Sequence, residues 1–523
     1  MPRTCRNPIL PGFYPDPSIC RVGEDYYLIT STFEYYPGLP IFHSRDLVNW
    51  RQIGHVLDRP SQLPLDGIRP SGGLYAPTIR YHEGTFYVVN TLVSGNDKAG
   101  NFIVTAADPA GPWSEPYWLE DAPGIDPSLF FDKDGRAWYC GNRECENPAY
   151  HGDTEIWLQE LDLAKIQLTG PKYALWKGAL RGARWSEAPH VYKINGLYYL
   201  MIAEGGTGHD HAVTIARSET VTGPYENNPR NPILTHRHLG RDYPIVNVGH
   251  ADIVETQTGE WWMVMLASRP YGGYYRNLGR ETFMAPVRWE EGWPIVIPGL
   301  GRVEFVHPAP DLPEQRWPTA PACDHFEAER LGFEWNFLRT PRKDFWSLSE
   351  RPGYLRLHLR SQMISKWENP SFIGRRQQHL SFAARTAMEF TPQSANEEAG
   401  LILLQNSDFQ YRFVHTSTDG RTVVKLVKRA AGEEEVMAEK PVSAGRLYMK
   451  VEAIEQAYSF YYATAPEAWK PLLENADGRI LSTEVAGGFV GAYIGMYASS
   501  NGRPGENIAD FDWFEYAVLF DGQ

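Results

Sequence analysis

Aromatic and β-branched residues recur in the N-terminal half of the chain as pairs of short runs, each pair joined by a short polar turn. In the first pair, residues 18–22 and 26–30 flank a turn at 23–25. Runs of this kind around a glycine-containing turn are typical of β-hairpins. Helical periodicity is scarce throughout the sequence. The pattern therefore predicts an all-β protein.

The hairpin occurs five times, and each copy is opened by a residue next to the start of its first run. Successive openings are 50 to 63 residues apart, which leaves room for a small antiparallel sheet and its loops. Strand repeats of this size indicate a β-propeller, here with five blades within residues 1–308. The opening residues are Asp16, Ala76, Asp126, Glu187 and His250.

The openings place three carboxylates and a histidine at equivalent positions. Inner strands of a propeller border its axis, so equivalent residues converge at one end of that axis. Placing several carboxylates close together is energetically costly unless they share protons or hydrogen bonds. Structure alone gives no reason for such a cluster, so the three acids indicate a functional site. Pro15 and Pro17 flank Asp16 and predict extended backbone there. In the alternative interpretation each acid only caps a turn of its own blade, which the common register disfavours.

A proline-rich segment, residues 309–322, follows the last repeat and is predicted to be a semi-rigid linker. Beyond it, residues 354–360 and 422–427 alternate polar and apolar side chains, as half-buried strands do. Residues 323–523 are therefore predicted to form a second domain, a β-sandwich.

Composition narrows the classes of partner. The net charge is −14 and the pI is about 5.6, which argues against nucleic acid or an anionic membrane because both require clustered Lys and Arg. Aromatic residues make up 13% of the chain, a share that suits binding of a neutral sugar. The N-terminus has no apolar signal region and no segment approaches membrane-spanning length, so we expect a cytoplasmic enzyme. Whether it forms a homo-oligomer stays open.

Six motifs carry more specific information: residues 7–18 (NPILPGFYPDPS), 71–77 (SGGLYAP), 124–130 (GIDPSLF), 186–190 (SEAPH), 203–207 (AEGGT) and 278–282 (LGRET). In this order and spacing they resemble the family 43 glycoside hydrolases, in particular β-xylosidases and α-L-arabinofuranosidases with a C-terminal concanavalin-like sandwich. The resemblance covers nearly the whole chain. It implies that Asp16 is the general base, that Glu187 is the general acid, and that Asp126 orients the acid and raises its pKa.

The resemblance also implies contacts beyond the three acids. His250 matches a ligand of a hydrated calcium ion on the axis, and a second calcium ion shared by Asp324 and Asp512 in the sandwich is a further hypothesis. Tyr75 stands where relatives carry Trp, which keeps a flat face for a sugar and adds a hydroxyl. The residues expected to contact the sugar are Phe33, Tyr75, Ala76, Thr207 and Arg280.

Two polar segments leave alternatives open. Residues 141–150 are polar where β-xylosidase relatives have an aromatic platform for the leaving group. Either Arg143 or Tyr150 replaces that platform, or the segment is a solvated loop. His209 and His211 alternate in extended chain and suggest a metal pair, but solvent-facing roles are favoured because no third ligand is nearby.

The sequence thus predicts an exo-acting, inverting glycosidase without an organic cofactor, which releases β-D-xylose or α-L-arabinofuranose from xylan-derived oligosaccharides. A sandwich docked through a stiff linker is expected to close one side of the channel, and residues 499–505 are candidates for the wall. The alternatives are an arabinan- or fructan-acting propeller enzyme, a non-catalytic carbohydrate-binding propeller and a structural interaction propeller. The sequence does not choose between the two pentoses.

Overall fold

The computed structural model describes residues 3–96 and 98–520, and it confirms the predicted propeller followed by a sandwich. Five antiparallel sheets surround one axis, and each contains one of the predicted hairpins. The blades are, in chain order, Ser18–Val22, Asp25–Ile29, Gly38–Ser44 and Arg51–Leu57; Gly73–Leu74, Thr78–His82, Thr85–Val93, Gly100–Ala106 and Tyr117–Leu119; Ser128–Phe131, Ala137–Glu144, Thr154–Asp162 and Gln167–Trp176; Glu187–Ile194, Leu197–Glu204, Ala212–Ser218, Glu226–Asn227 and Leu234–Thr235; and Val246–Glu255, Trp261–Ser268, Glu281–Glu290 and Trp293–Val296.

The inner strands of consecutive blades contact one another in a closed ring, because the first blade meets both the second and the fifth. A two-stranded sheet of Thr4–Arg6 and Val306–Pro308 joins the two ends of the propeller. The Asn7 side chain donates hydrogen bonds to backbone carbonyls of Met284 (2.9 Å) and Glu304 (3.1 Å) and strengthens this closure. The ring fixes the strand openings at one end of the axis.

Two stacked sheets form the sandwich, and their inner faces follow the predicted alternation. In Gly445–Ile454, for example, every second side chain is buried. Short helical turns lie at Arg237–Leu239, Gly478–Leu481 and Thr483–Ala486. One sheet contains Ser371–Arg376, Tyr493–Ser499, Glu398–Asn406, Phe409–Thr418, Arg421–Ala430 and Glu433–Pro441; the other contains Cys323–Asp324, Trp346–Ser347, Leu355–His358, Ile508–Val518, Ser381–Phe390, Gly445–Ile454, Ala457–Ala463 and Lys470–Asp477.

The sandwich packs directly against the propeller. Tyr35–Tyr36 of the propeller pairs with Phe337–Leu338 of the sandwich, and the rings of Tyr35 and Tyr493 stack with centroids 3.9 Å apart. Side chains from both domains share one apolar cluster. The proline-rich segment lies along the first blade, where Trp317 donates to the backbone carbonyl of Asn49 (3.1 Å). The residue limits proposed for the domains stay a prediction.

The described residues include no helix that is long and apolar enough to cross a membrane.

Candidate active site

A pocket of about 320 Å³ lies where the inner strands begin, at one end of the propeller axis. The structure brings the predicted acids, the predicted sugar contacts and His250 into its wall. Four further lining residues, Ile125, Trp185, Gly206 and Phe489, were not predicted as site residues. The predicted members are Asp16, Phe33, Tyr75, Ala76, Asp126, Glu187, Thr207, His250 and Arg280.

Backbone conformation at the strand openings aims these side chains at the axis. The φ angles of Asp16, Asp126 and His250 are +55°, +54° and +48°, in the left-handed region that residues other than glycine rarely adopt. The prediction of extended backbone at Asp16 from its flanking prolines is therefore wrong. Such strain persists where surrounding structure over-determines it, and it clusters at functional sites.

Asp16 is buried among donors and positive charge. Arg280 donates from Nη1 to its Oδ1 (2.6 Å), Ser31 donates from Oγ to its Oδ2 (2.5 Å), and His250 Nδ1 lies 3.7 Å away. Burial by itself raises the pKa of Asp16, but Arg280, His250 and Ser31 together hold it below its ordinary value. Asp16 is therefore ionised at neutral pH.

Glu187 and Asp126 show the opposite behaviour. Burial raises the pKa of Glu187 to about 8, and the negative charge of Asp16 adds to the shift. Burial and the charge of Glu187 likewise raise the pKa of Asp126 well above its ordinary value. The resemblance implied that Asp126 raises the pKa of Glu187, whereas in the structure the larger causes are burial and then the charge of Asp16. Glu187, with a pKa of about 8, therefore retains its proton at neutral pH.

An aromatic wall encloses one side of the pocket. Phe33 lies between Tyr75 and Phe489, with ring centroids 5.1 Å and 5.8 Å away. The guanidinium of Arg280 lies over both Phe33 and Phe489, at 5.5 Å and 5.6 Å. Phe489 is the sandwich residue in the pocket lining, so the predicted wall at residues 499–505 is wrong.

Ser71 joins the parts of this wall through three hydrogen bonds. Its Oγ accepts the backbone N–H of Phe489 (2.8 Å), and its carbonyl accepts the hydroxyl of Tyr75 (3.1 Å). Its own N–H donates to Oε2 of the buried Glu34 (3.1 Å). The position of Phe489 therefore depends on a propeller loop as well as on the sandwich.

Trp185 supplies an aromatic surface that the sequence analysis missed. Its ring packs against Gly152 and Gly206, where an added Cβ would come within 3.0 Å and 2.7 Å of it. Arg143 instead pairs with Glu155 (2.9 Å). Tyr150 donates to the carbonyl of Ala183 (2.9 Å), and neither side chain lines the pocket. The signal available in the sequence was the position of Trp185, two residues before Glu187.

His211 is buried, contrary to the solvent-facing role favoured from the sequence. Its Nδ1 hydrogen bonds with the carbonyl of Asn247 (2.9 Å), and burial lowers its pKa to about 3. A Cβ added to Gly249 would lie 2.5 Å from the imidazole, so the ring rests on this glycine. His211 is thus a neutral core residue beside the site.

The charged groups around the axis have partners within the protein. Within residues 3–96 and 98–520 no cluster of three or more His, Cys, Asp or Glu side chains is arranged to hold one. Below the pocket, Arg80 already supplies a fixed positive charge, paired with Asp252 at 2.9 Å and donating to His190 at 3.0 Å. His250 faces Asp16, whose charge is matched by Arg280. A hydrated calcium ion at His250 stays a prediction.

The two carboxylates suggested for a sandwich calcium site have protein partners. Asp324 accepts the Phe326 N–H (2.8 Å) and the Trp335 indole N–H (2.9 Å). Asp512 pairs with Arg446. Neither observation calls for a shared ion, and that hypothesis stays untested.

Comparison with known proteins shows which family this chain resembles. The model described as Glycosyl hydrolases family 43 matches residues 5–294. The chain belongs to glycosyl hydrolase family 43. The model of the β-xylosidase C-terminal concanavalin A-like domain matches residues 323–517. As a family 43 member with this acidic pocket, the protein is a glycoside hydrolase.

Three relatives of this family 43 enzyme match it over nearly their full length. It is 49% identical to a xylosidase/arabinosidase of Butyrivibrio fibrisolvens, covering 97% of this chain and 98% of the relative. It is 43% identical to a non-reducing end α-L-arabinofuranosidase of Bacteroides ovatus, covering 99% and 95%. The crystal structure of a xylan β-1,4-xylosidase from Bacillus halodurans matches with a TM-score of 0.93 at 37% identity, covering 98% and 100%.

Proposed function

We propose that this enzyme removes single pentoses, β-D-xylose or α-L-arabinofuranose, from the non-reducing ends of xylan-derived oligosaccharides with inversion of the anomeric carbon. The observation that carries the proposal is the opposite tuning of two carboxyls in one small pocket: Asp16 is held ionised and Glu187 protonated. Such a pair is what acid–base cleavage of a glycosidic bond requires. The names of the relatives supply the two candidate sugars.

In the proposed reaction Glu187 gives its proton to the glycosidic oxygen as the bond from that oxygen to the anomeric carbon breaks. Asp16 takes a proton from the water that forms the new bond to that carbon from the opposite face. Asp16 ends protonated and Glu187 ionised, and proton exchange with solvent restores both. Asp126 interacts with the backbone N–H of Ala188 and would position the strand start that carries Glu187.

Enclosure of the pocket supports exo action. Its volume lies at the lower end of the range for ligand sites. Phe489 forms one wall of the pocket with Phe33 and Tyr75, and in this proposal that wall stops the sugar chain from continuing on its side. Trp185 is the proposed aromatic surface for the leaving sugar.

Two assays test the proposal. Incubation with chromogenic aryl β-D-xyloside and aryl α-L-arabinofuranoside measures which pentose is released, and inactivity on both would exclude it. Proton NMR of the xyloside reaction should show the α anomer first. The β anomer appearing first would mean that a carboxylate acts as nucleophile.

Early products from xylotetraose test the exo assignment. Xylose and xylotriose should form first, whereas abundant early xylobiose would indicate internal cleavage and contradict exo action.

We further propose a cytoplasmic location, in which imported oligosaccharides rather than polymeric xylan are the substrates; cell fractionation tests this. Metal analysis and activity assays after extensive chelation test the predicted hydrated calcium ion. Full activity of metal-free protein would show that the enzyme does not need this ion. Light scattering of the purified protein measures whether it forms a homo-oligomer.

A further inference from the structure

A second cavity, of about 360 Å³, lies where a propeller loop meets the sandwich. Asp66 and Gly67 form its propeller side. Its lining shares no residue with the catalytic pocket. Four basic side chains and two carboxylates line it, although the whole chain carries a net charge of −14. The side chains that line the cavity therefore carry a net positive charge, whereas the whole protein is net negative.

Two of its arginines have a structural explanation. Arg342 forms an ion pair with Asp66 and donates to the carbonyl of Pro60 (2.6 Å), which ties the sandwich to the propeller loop. Arg339 is buried and donates to the carbonyls of Ile68 (2.7 Å) and Glu368 (3.0 Å). These contacts account for Arg339 and Arg342 as parts of the domain junction.

The other two cations lack a counter-charge. Arg360 donates to the Ser371 hydroxyl (3.0 Å) and the Asn369 carbonyl (2.7 Å), and its guanidinium lies 4.4 Å from the Phe345 ring centroid. Among the described residues, no carboxylate lies within ion-pair distance of Arg360 or Lys343. Lys343 is exposed, and the nearby Glu368 carboxylate accepts the Met363 N–H (3.2 Å) instead. An anion at this point would compensate a partly buried cation, which is otherwise costly.

An exposed aromatic ring completes the cavity. Trp367 leaves 52% of its surface in solvent, among the largest exposures of any bulky apolar side chain described. An indole is a flat apolar surface with an N–H at its edge, so it suits a ligand that has both an apolar face and polar substituents. The ring face of a pyranose, with its axial C–H groups, has this character.

We propose that the cavity binds a carboxylate-bearing sugar, a uronic acid, with its ring on Trp367 and its carboxylate between Lys343 and Arg360. Guanidinium and ammonium groups together favour a carboxylate by charge-assisted hydrogen bonds. The source that suits this enzyme is an acidic branch on a pentose oligosaccharide, an assignment that rests on the proposed function. The site would hold a charged substrate while the catalytic pocket takes its neutral terminal sugar.

Calorimetric titration of the full chain with methyl β-D-glucuronide, against methyl β-D-glucoside at low ionic strength, tests the site. The glucuronide should bind and the glucoside should bind at least about tenfold more weakly, since the glucoside lacks the carboxylate that accepts charge-assisted hydrogen bonds. Lys343→Ala should weaken glucuronide binding about tenfold, and Trp367→Ala should weaken it further. Lys366→Ala is the matched control because Lys366 is exposed beside Trp367 but outside the lining.

Equal affinity for the two methyl glycosides, or glucuronide binding that Lys343→Ala leaves unchanged, would overturn the proposal. Inorganic phosphate binding as tightly as glucuronide with no effect of Trp367→Ala would overturn the assignment of a sugar. Turnover of a neutral aryl pentoside should be the same in Lys343→Ala and the unaltered enzyme. If the unaltered enzyme does not turn over the neutral aryl pentoside, the proposed function is rejected, but glucuronide binding at this cavity is still supported by the titration.

Discussion

At the scale of single residues, the pocket gives two carboxyls opposite protonation states by changing only their surroundings. Asp16 has Arg280, Ser31 and His250 beside it, whereas Glu187 has burial and the negative charge of Asp16. The same Arg280 lowers the pKa of both carboxyls. The acid and the base are therefore electrostatically linked, and a change at one is felt by the other.

We expect Asp16→Asn and Glu187→Gln to lower kcat by roughly 10²–10⁴-fold, because each removes a proton-transfer group. Glu187→Gln should lose the least kcat on aryl substrates with good leaving groups, because such groups need little protonation to depart. Steady-state kinetics measure the losses, and circular dichroism checks the fold. Asp134→Asn, at an exposed hairpin turn, is the control. A variant that keeps near-normal turnover would lose its assigned role.

The pH profile of kcat/KM should fall at high pH as Glu187 loses its proton near about 8, and at low pH as Asp16 gains one below its ordinary pKa. Arg280→Gln removes a charge that lowers both pKa values, so both limbs should move to higher pH. Arg230→Gln is the control because Arg230 pairs with Glu291 on the surface, outside the pocket. Limbs that do not move in Arg280→Gln would contradict the assignment.

At the scale of elements, one short segment of the sandwich completes a site built on the propeller. The helix Thr483–Ala486 is held to the propeller by Glu484, which accepts from the backbone N–H and Nε of Arg276 (2.7 Å and 2.5 Å). Gly487 and Gly488 follow with φ of +71° and +81° and turn the chain into the pocket. A Cβ on Gly488 would come within 2.4 Å of Ser71 Oγ, so glycine permits this approach.

Phe489→Ala should open this wall. We expect a several-fold higher KM for xylobiose and the appearance of early xylobiose from xylotetraose, because the ring that blocks chain continuation is gone. Chromatography of early products measures the change. Phe489→Tyr keeps the aromatic ring and should retain the exo pattern. A product pattern of Phe489→Ala identical to that of the unaltered enzyme would show that the wall lies elsewhere.

At the scale of the whole molecule, the two domains form one folded unit around polar groups buried at their junction. Arg376 donates from Nε to the carbonyl of Phe13 (2.6 Å) and from Nη1 to Asn336 (2.7 Å), so a sandwich cation is satisfied partly by the propeller. Glu34 is 1% exposed and accepts the N–H of Ser71. Burial raises the pKa of Glu34 to about 7, against the smaller opposing effects of backbone donors and Arg339.

Glu34 should therefore make stability depend on pH. A carboxyl with a raised folded-state pKa favours the folded state fully below its unfolded pKa near 4.5, and this contribution is lost as pH rises through about 7. Glu34→Gln should match the unaltered protein at pH 5 and be more stable at pH 8, by up to roughly 3 kcal/mol. Urea unfolding at both values measures it, with exposed Glu24→Gln as control. Equal stability of Glu34→Gln and the unaltered protein at pH 8 would mean that folding does not raise the pKa of Glu34.

The sequence by itself determined the propeller, the second β domain and the three acids, because repeated hairpins make each of these a local pattern copied along the chain. Once the strands form blades, Asp16, Asp126 and Glu187 must meet at the axis. Arg280 and the predicted sugar contacts were found through motifs at the strand openings and in the neighbouring loops.

Only the tertiary structure decided the enclosure of the site and the charge states within it. Phe489 is more than 400 residues from Phe33 in sequence, and no local pattern in a sandwich loop shows that it reaches a propeller pocket. The burial of His211 and the direction of the Trp185 ring depend on close approach to glycines in other segments. The pKa values of Asp16 and Glu187 depend on burial and on charges brought together from separate blades, because electrostatic energy follows distance in space and not position along the chain.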